Sequence, residues 1–270
     1  MKTSLLLPVL GSLVTLQAAM FPAVAESQPQ PVLMVIANQD FYYREYSETR
    51  SSIEAAGLDV VVASATTKSC LPAPGTGQPE SRDGGVTPDL PLADASAHDY
   101  SAIVFVGGWG SSMYQYAYND PNYDGTIDNF YSDESYNGDA DGTKAAVNNL
   151  INDFVEQDKH VAAICHGVTV LAWARVDGES LVKGKKVIAP SYGAPPTFYM
   201  GRWYADNEFS AQEQVIDNGG FANPYSGAYG DPTTAADDVI VDGRIITAEN
   251  YDSAQLFGRV IATQVFRSQK

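Results

Sequence analysis

The chain has 270 residues, with 33 acidic against 16 basic side chains and a formal net charge of −17. Such an acidic surface excludes nucleic acid and anionic membranes as partners, because their phosphates would repel it. Three histidines, none in a ligand spacing, exclude a catalytic zinc site.

Lys2 precedes the apolar run Leu5 to Val14, and Ala23-Val24-Ala25 supplies small residues before Glu26. This predicts a signal peptide over residues 1–25, cut after Ala25, and an exported protein with no membrane anchor after cleavage. Val32 to Ala37 is a continuous apolar run, as expected of a strand buried on both faces. Tyr42 to Ala56 reads as a helix ended by Gly57, and Val60 to Ala63 as the next strand. Strand, helix and strand in that order form a βαβ unit, so the sheet is expected to be mainly parallel. Residues 66–92 are rich in Pro and Gly and read as an excursion carrying a small hairpin. Ile103 to Val106 is the third core strand and runs into Gly107-Gly108.

The segment 111–142 interleaves tyrosines with acids and has no Lys or Arg. Oxygen ligands at short spacing make Asp120, Asp124 and Asp128 candidates for calcium, although the spacing is not that of an EF-hand. A solvated acidic loop with aromatic anchors is the competing reading. A helix follows from Thr143 to Gln157, with Thr143 as its cap and Ala146, Val147, Leu150, Ile151 and Phe154 on one face. Lys186 to Ala189 is a further short strand, and 192–230 is a second aromatic, Gly/Pro-rich insertion. Asp242-Gly243 turns a hairpin between Asp238–Val241 and Ile245–Thr247, and Tyr251 to Phe266 closes the chain as a helix. No linker separates two halves, so residues 26–270 read as one domain with insertions at about 66–92, 111–142 and 192–230.

The chemically informative stretch is Val161 to Leu171. An apolar strand stops at Cys165-His166-Gly167 and a helix begins. This is the pattern of a nucleophile elbow, a tight turn that holds one side chain over the end of a sheet. A thiol there meets the positive end of the helix dipole and unpaired amides, which favour a thiolate and can cradle an oxyanion. His166 could accept the thiol proton if it turns toward the sulfur. A bridge between Cys165 and Cys70 would silence that nucleophile, so both cysteines are expected to be free.

Four segments together make the chain resemble the ThiJ/PfpI superfamily, whose fold is that of class I glutamine amidotransferase domains. They are Ala163-Ile164-Cys165-His166-Gly167, the strand Asp99 to Gly108 with its paired glycines, Glu45 twelve residues before Gly57, and Val241 to Asn250. The resemblance implies a flavodoxin-like three-layer α/β sandwich with Cys165 as nucleophile. It implies that Glu45 approaches the sulfur, that His166 pairs with the cysteine or points away, and that the amides near Gly108 and His166 stabilise an oxyanion. Where related chains carry a third carboxylate, residues 191–197 have none, and Asp206 and Glu208 a little further on are secondary candidates.

Two functions are compatible with this reading. One is a cofactor-free, cysteine-dependent enzyme acting on an electrophilic carbon of a small molecule or peptide, either amidase- or peptidase-like or converting 2-oxoaldehydes as a glyoxalase does. Hydration of an isocyanide is a third precedent that the resemblance supplies. The other function is a redox-sensing, chaperone-like or ligand-binding protein on the same fold. The resemblance also implies a homo-oligomer.

Overall fold

The structure, a computed structural model, describes residues 29–79, 84–118, 138–190, 197–199, 202–204, 210–222 and 238–269. Its centre is a seven-stranded sheet. Five elements open it: β1 (Val32–Val35), α1 (Tyr43–Ala55), β2 (Val60–Ser64), β3 (Leu90–Pro91) and β4 (Ala102–Phe105). Then come α2 (Ala140–Glu156), β5 (His160–Ile164), α3 (Val168–Trp173), α4 (Ala211–Asp217), β6 (Val239–Asp242), β7 (Ile245–Ala248) and α5 (Ala254–Ser268). The strand order is β6-β7-β5-β4-β1-β2-β3. All neighbours are parallel except the β6–β7 hairpin at the edge.

Every residue of β1, β4, β5 and β7 is buried, so both faces of the sheet are covered, as their unbroken apolar runs require. Helices α1 and α5 pack on one another, and α5 also lies on β5 and β7. Helix α2 meets β4 and β5, and α3 meets β5 and α4. The stripe that α5 buries is Ala254, Phe257, Gly258, Ile261, Ala262 and Val265, the i, i+3, i+4 spacing of one helical face. Burying Phe257 and Ile261 contributes roughly 1.5–3 kcal/mol each.

Three expectations change in the structure. The 66–92 excursion does more than form a hairpin, because its end supplies the edge strand β3. Asp89 sets that pairing: its Oδ2 accepts from the Val62 amide at 2.8 Å while its own amide donates to Val62 O at 2.8 Å. Earlier in the same segment, Leu71–Pro72 pairs with Gln39–Phe41, and Cys70 bridges Val86. Helix α2 is capped by Asp139, not Thr143: Asp139 Oδ2 accepts from the Gly142 amide at 3.0 Å and starts the helix at Ala140. Lys186–Val187 pairs outside the main sheet, with Phe221–Ala222. Among the described residues, no helix is long and apolar enough to cross a membrane.

Candidate active site

Strand β5 ends at Ile164, and the backbone then turns abruptly. Cys165 has φ +55°, a left-handed conformation that a cysteine adopts only under constraint, at a cost of order 1–3 kcal/mol. One 3-10 turn, Cys165–Gly167, leads into α3. The elbow is wedged against β4: a Cβ at Gly167 would lie 2.6 Å from the Phe105 carbonyl oxygen. The loop after β4 is as tightly held. A Cβ at Gly107 would meet Glu45 Oε2 at 2.4 Å, Cys165 Cβ at 2.7 Å and Ile164 O at 2.9 Å. Gly108 has φ +96°, and a Cβ there would collide with Asp40 O and Tyr42 N. The Tyr42 amide donates to Gly107 O at 3.0 Å. Backbone from the ends of β1, β4 and β5 therefore meets at one point.

Glu45 enters that point from the first turn of α1 and is completely buried. Its carboxyl lies against the Cys165 thiol and the Gly107 amide, although neither oxygen makes a hydrogen bond of standard geometry. Burial raises the carboxyl from 4.5 to about 8, against the smaller opposing effects of Cys165 and Gly107, so Glu45 holds its proton at neutral pH. Cys165 is partly exposed as a residue and is not in a disulfide. Burial of the sulfur, and next the negative charge that Glu45 would carry, push the thiol well above its usual value; the amides of His166 and Gly108 pull it down. The dipole-lowered thiolate expected at this turn is thus outweighed by burial, and further by Glu45 when that group is ionised. The two groups titrate as one pair: a first proton leaves near pH 8 and a second well above it. With one proton left, it can sit on oxygen or on sulfur.

His166 is 8% exposed, and burial lowers it to about 4, so its ring is neutral at physiological pH. Its Nε2 meets Ser112 Oγ at 2.8 Å, and the ring leans on Trp109 with centroids 5.1 Å apart. Ser112 sits on the 3-10 turn Trp109–Tyr114 that follows the paired glycines. Sequence reasoning assigned it to the start of an insertion and missed it, since a serine four residues past a glycine pair carries no signal of its own. Beyond it, Gln115 Nε2 donates to Thr169 Oγ1 at 2.6 Å and Thr169 Oγ1 to His166 O at 2.7 Å. Gln214 on α4 accepts from Gln115 and from Trp173 Nε1, tying α4 to the elbow.

Of the residues singled out in the sequence, the structure brings Cys165, Glu45 and Gly108 together, with the His166 amide at the sulfur and its ring turned to Ser112. Asp206, Glu208, Asp120, Asp124 and Asp128 lie outside the described residues. Among the described residues, no group of three metal-ligating side chains occurs.

The comparisons with known proteins agree with this fold. Residues 138–264, which include the elbow, match the DJ-1/PfpI family. An uncharacterised protein of Methanocaldococcus jannaschii is 30% identical over 227 residues, covering 84% of this chain and 78% of its own. The chain belongs to the DJ-1/PfpI family. Two solved structures extend the likeness of this DJ-1/PfpI chain at the level of fold. A ThiJ/PfpI domain protein from Brachyspira murdochii superimposes with a TM-score of 0.57 at 21% identity, over 90% of this chain and 99% of its own. Glyoxalase III from Candida albicans does so with a TM-score of 0.59 at 15% identity, over 87% and 96%.

Proposed function

We propose that this DJ-1/PfpI protein is a cysteine-dependent enzyme that converts a 2-oxoaldehyde to a 2-hydroxy acid without a cofactor. The observation that carries the reading is the buried Glu45 carboxyl against Cys165, with the ring of His166 neutral and engaged by Ser112. The chemistry needs one group that gives and takes a proton repeatedly at a sulfur-bound carbon, and a carboxyl near 8 is matched to that task.

In the reaction, the pair holds one proton, on Glu45, and the Cys165 thiolate sulfur forms a bond to the aldehyde carbon. The carbonyl electron pair moves to oxygen, which the amides near Gly108 and His166 stabilise and which takes the proton from Glu45. The product is a hemithioacetal and a Glu45 carboxylate. That carboxylate removes the hydrogen on the sulfur-bound carbon, giving an enediolate, and returns the proton to the neighbouring carbon while the hydroxyl proton of the sulfur-bound carbon passes to the neighbouring oxygen. The result is a thioester of a 2-hydroxy acid. Water hydrolyses it, releasing the acid and restoring the thiol, so the aldehyde carbon is oxidised and its neighbour reduced with no external electron carrier.

Peptide cleavage fits less well. It asks for an imidazolium to protonate the departing amine, and a ring lowered to about 4 does not supply one. A redox sensor asks for a readily ionised thiol, whereas burial and Glu45 push this one up. The reading extends to the whole chain: a single domain, exported by residues 1–25, self-associating, with a small-molecule substrate.

Turnover of phenylglyoxal to its hydroxy acid, followed by chromatography, tests the reaction. The expected result is activity in the wild type, at least a thousandfold loss in Cys165→Ser, and a comparable loss in Glu45→Gln. Equal rates in wild type and Cys165→Ser would overturn it.

A further inference from the structure

Buried polar atoms in folded proteins are nearly always hydrogen-bonded, and each exception calls for a partner. Among the described residues, exceptions occur on several side chains, Gln115 and His160 included, and four of the atoms concerned are Glu45 Oε1 and Oε2, Asn250 Nδ2 and Ser253 Oγ. Glu45 and Asn250 are 0% exposed and Ser253 is 1% exposed.

The packing of α5 on α1 brings together the segments that carry these three side chains. Tyr42 stacks on Tyr251 with centroids 5.3 Å apart. Arg44 Nη1 pairs with Asp252 Oδ1 at 3.2 Å. Thr49 Oγ1 donates to Ala254 O at 3.3 Å, and Gly258 lies against Thr49 O and Ser52. The two helices therefore run side by side in the same direction. One turn before Thr49 is Glu45, and one turn before Ala254 is Asn250. From the other side, β7 pairs with β5 so that Ala248 faces Ile164; the chain after β7 leaves the sheet beside Cys165. Asn250 is also held in place: its Oδ1 accepts from the Asp252 amide at 2.8 Å, which leaves its amide hydrogens to serve another group.

The chemistry of the three is complementary. Asn250 Nδ2 and Ser253 Oγ are donors lacking an acceptor, and Glu45, which lies against the sulfur, is a carboxyl with no hydrogen bond of standard geometry. No direct hydrogen bond joins the three, and buried polar groups left without one are commonly bridged by an ordered water. We infer that Asn250 and Ser253 are positioning residues for Glu45. With it they hold one buried water, which accepts from Asn250 Nδ2 and Ser253 Oγ and donates to the Glu45 oxygen that faces away from Cys165. The other Glu45 oxygen then presents its proton to the sulfur. Of the titratable or charged groups around Glu45 among the described residues, only Cys165 acts on its titration. Arg44 and Asp252 are paired with one another, His166 is neutral, and Tyr42, Tyr251, Glu48, Asp40 and Glu249 do not enter.

The inference rests on the Glu45–Cys165 pair of the proposed function but not on its substrate, so its test avoids turnover. The first readout is the pH dependence of Cys165 alkylation by iodoacetamide, followed by mass spectrometry in the full chain. The water's donation to the carboxylate stabilises the anion, so removing one of the groups that hold the water, in Ser253→Ala, is expected to raise the midpoint by about one pH unit and to slow alkylation below it about tenfold. Asn250→Asp keeps the Oδ1 acceptor for Asp252 and replaces the donor with a second carboxyl, and is expected to raise the midpoint further. Wild-type midpoints in both folded variants would overturn the inference. So would a high-resolution crystal structure with no water within hydrogen-bond distance of Asn250 Nδ2, Ser253 Oγ and Glu45. Failure of the phenylglyoxal assay alone would leave these outcomes untouched and would count against the substrate.

Discussion

At the residue scale, two neighbouring groups are shifted in opposite directions by the same cause. Burial disfavours charge, so it raises the carboxyl of Glu45 to about 8 and lowers the imidazole of His166 to about 4. Each is therefore neutral at pH 7, and the proton that can move is on the acid rather than on the ring. For His166 the linkage is that of a depressed folded value. Its contribution to stability is intact above its ordinary value of 6.5 and is lost as pH falls toward 4, because the unfolded chain then binds a proton that the folded chain refuses. Nitrogen NMR of the labelled imidazole is expected to report a neutral ring from pH 8 down to 5, with protonation near 4. Titration near 6.5 would mean that the ring is not buried against Trp109 and Ser112.

At the scale of elements, the elbow depends on close approach between backbones, and so does the packing that brings Glu45 in. A Cβ at Gly258 would lie 2.6 Å from Thr49 O and 2.7 Å from Ser52 Cβ. Gly258→Ala should therefore force α5 away from α1, and overpacking of this kind typically costs about 1–3 kcal/mol. The expected outcome is a melting temperature several degrees lower, together with faster Cys165 alkylation as the Glu45 side of the pocket loosens. An unchanged melting temperature would contradict the contact.

Much of this scale was readable in the chain. The apolar runs at Val32, Val60, Ala102 and Val161 can only be buried strands, and the positive φ at Gly57 ends α1 where a glycine is cheapest. The spacing of Cys165, Gly107-Gly108 and Glu45 was readable through resemblance. What was hidden is whatever depends on distant partners. β3 is two residues long and owes its place to the Asp89 carboxylate on Val62. Asp139 and Thr143 are both favoured cap residue types, and the path of the backbone chooses the first. Ser112 becomes meaningful only when β4 and β5 stand side by side and His166 swings above it.

At the scale of the whole molecule, the fold and the site share one free-energy account. The α1–α5 packing and the two-sided sheet bury a carboxyl that, once ionised, is a liability to the folded state. The sign follows from a folded value raised from 4.5 to about 8: Glu45 costs nothing below pH 4.5, and stability is lost as pH rises from there through 8. The loss amounts to about 3–5 kcal/mol. Gln cannot ionise, so Glu45→Gln removes this dependence, and the other titration it alters directly is that of its partner Cys165. Urea unfolding of the wild type and Glu45→Gln at pH 5 and pH 8.5 tests the protonated buried acid directly. The account predicts that the variant gains about 3–5 kcal/mol on the wild type between the two pH values. A stability difference that stays the same at both would mean that Glu45 is already ionised in the folded protein, and would contradict it.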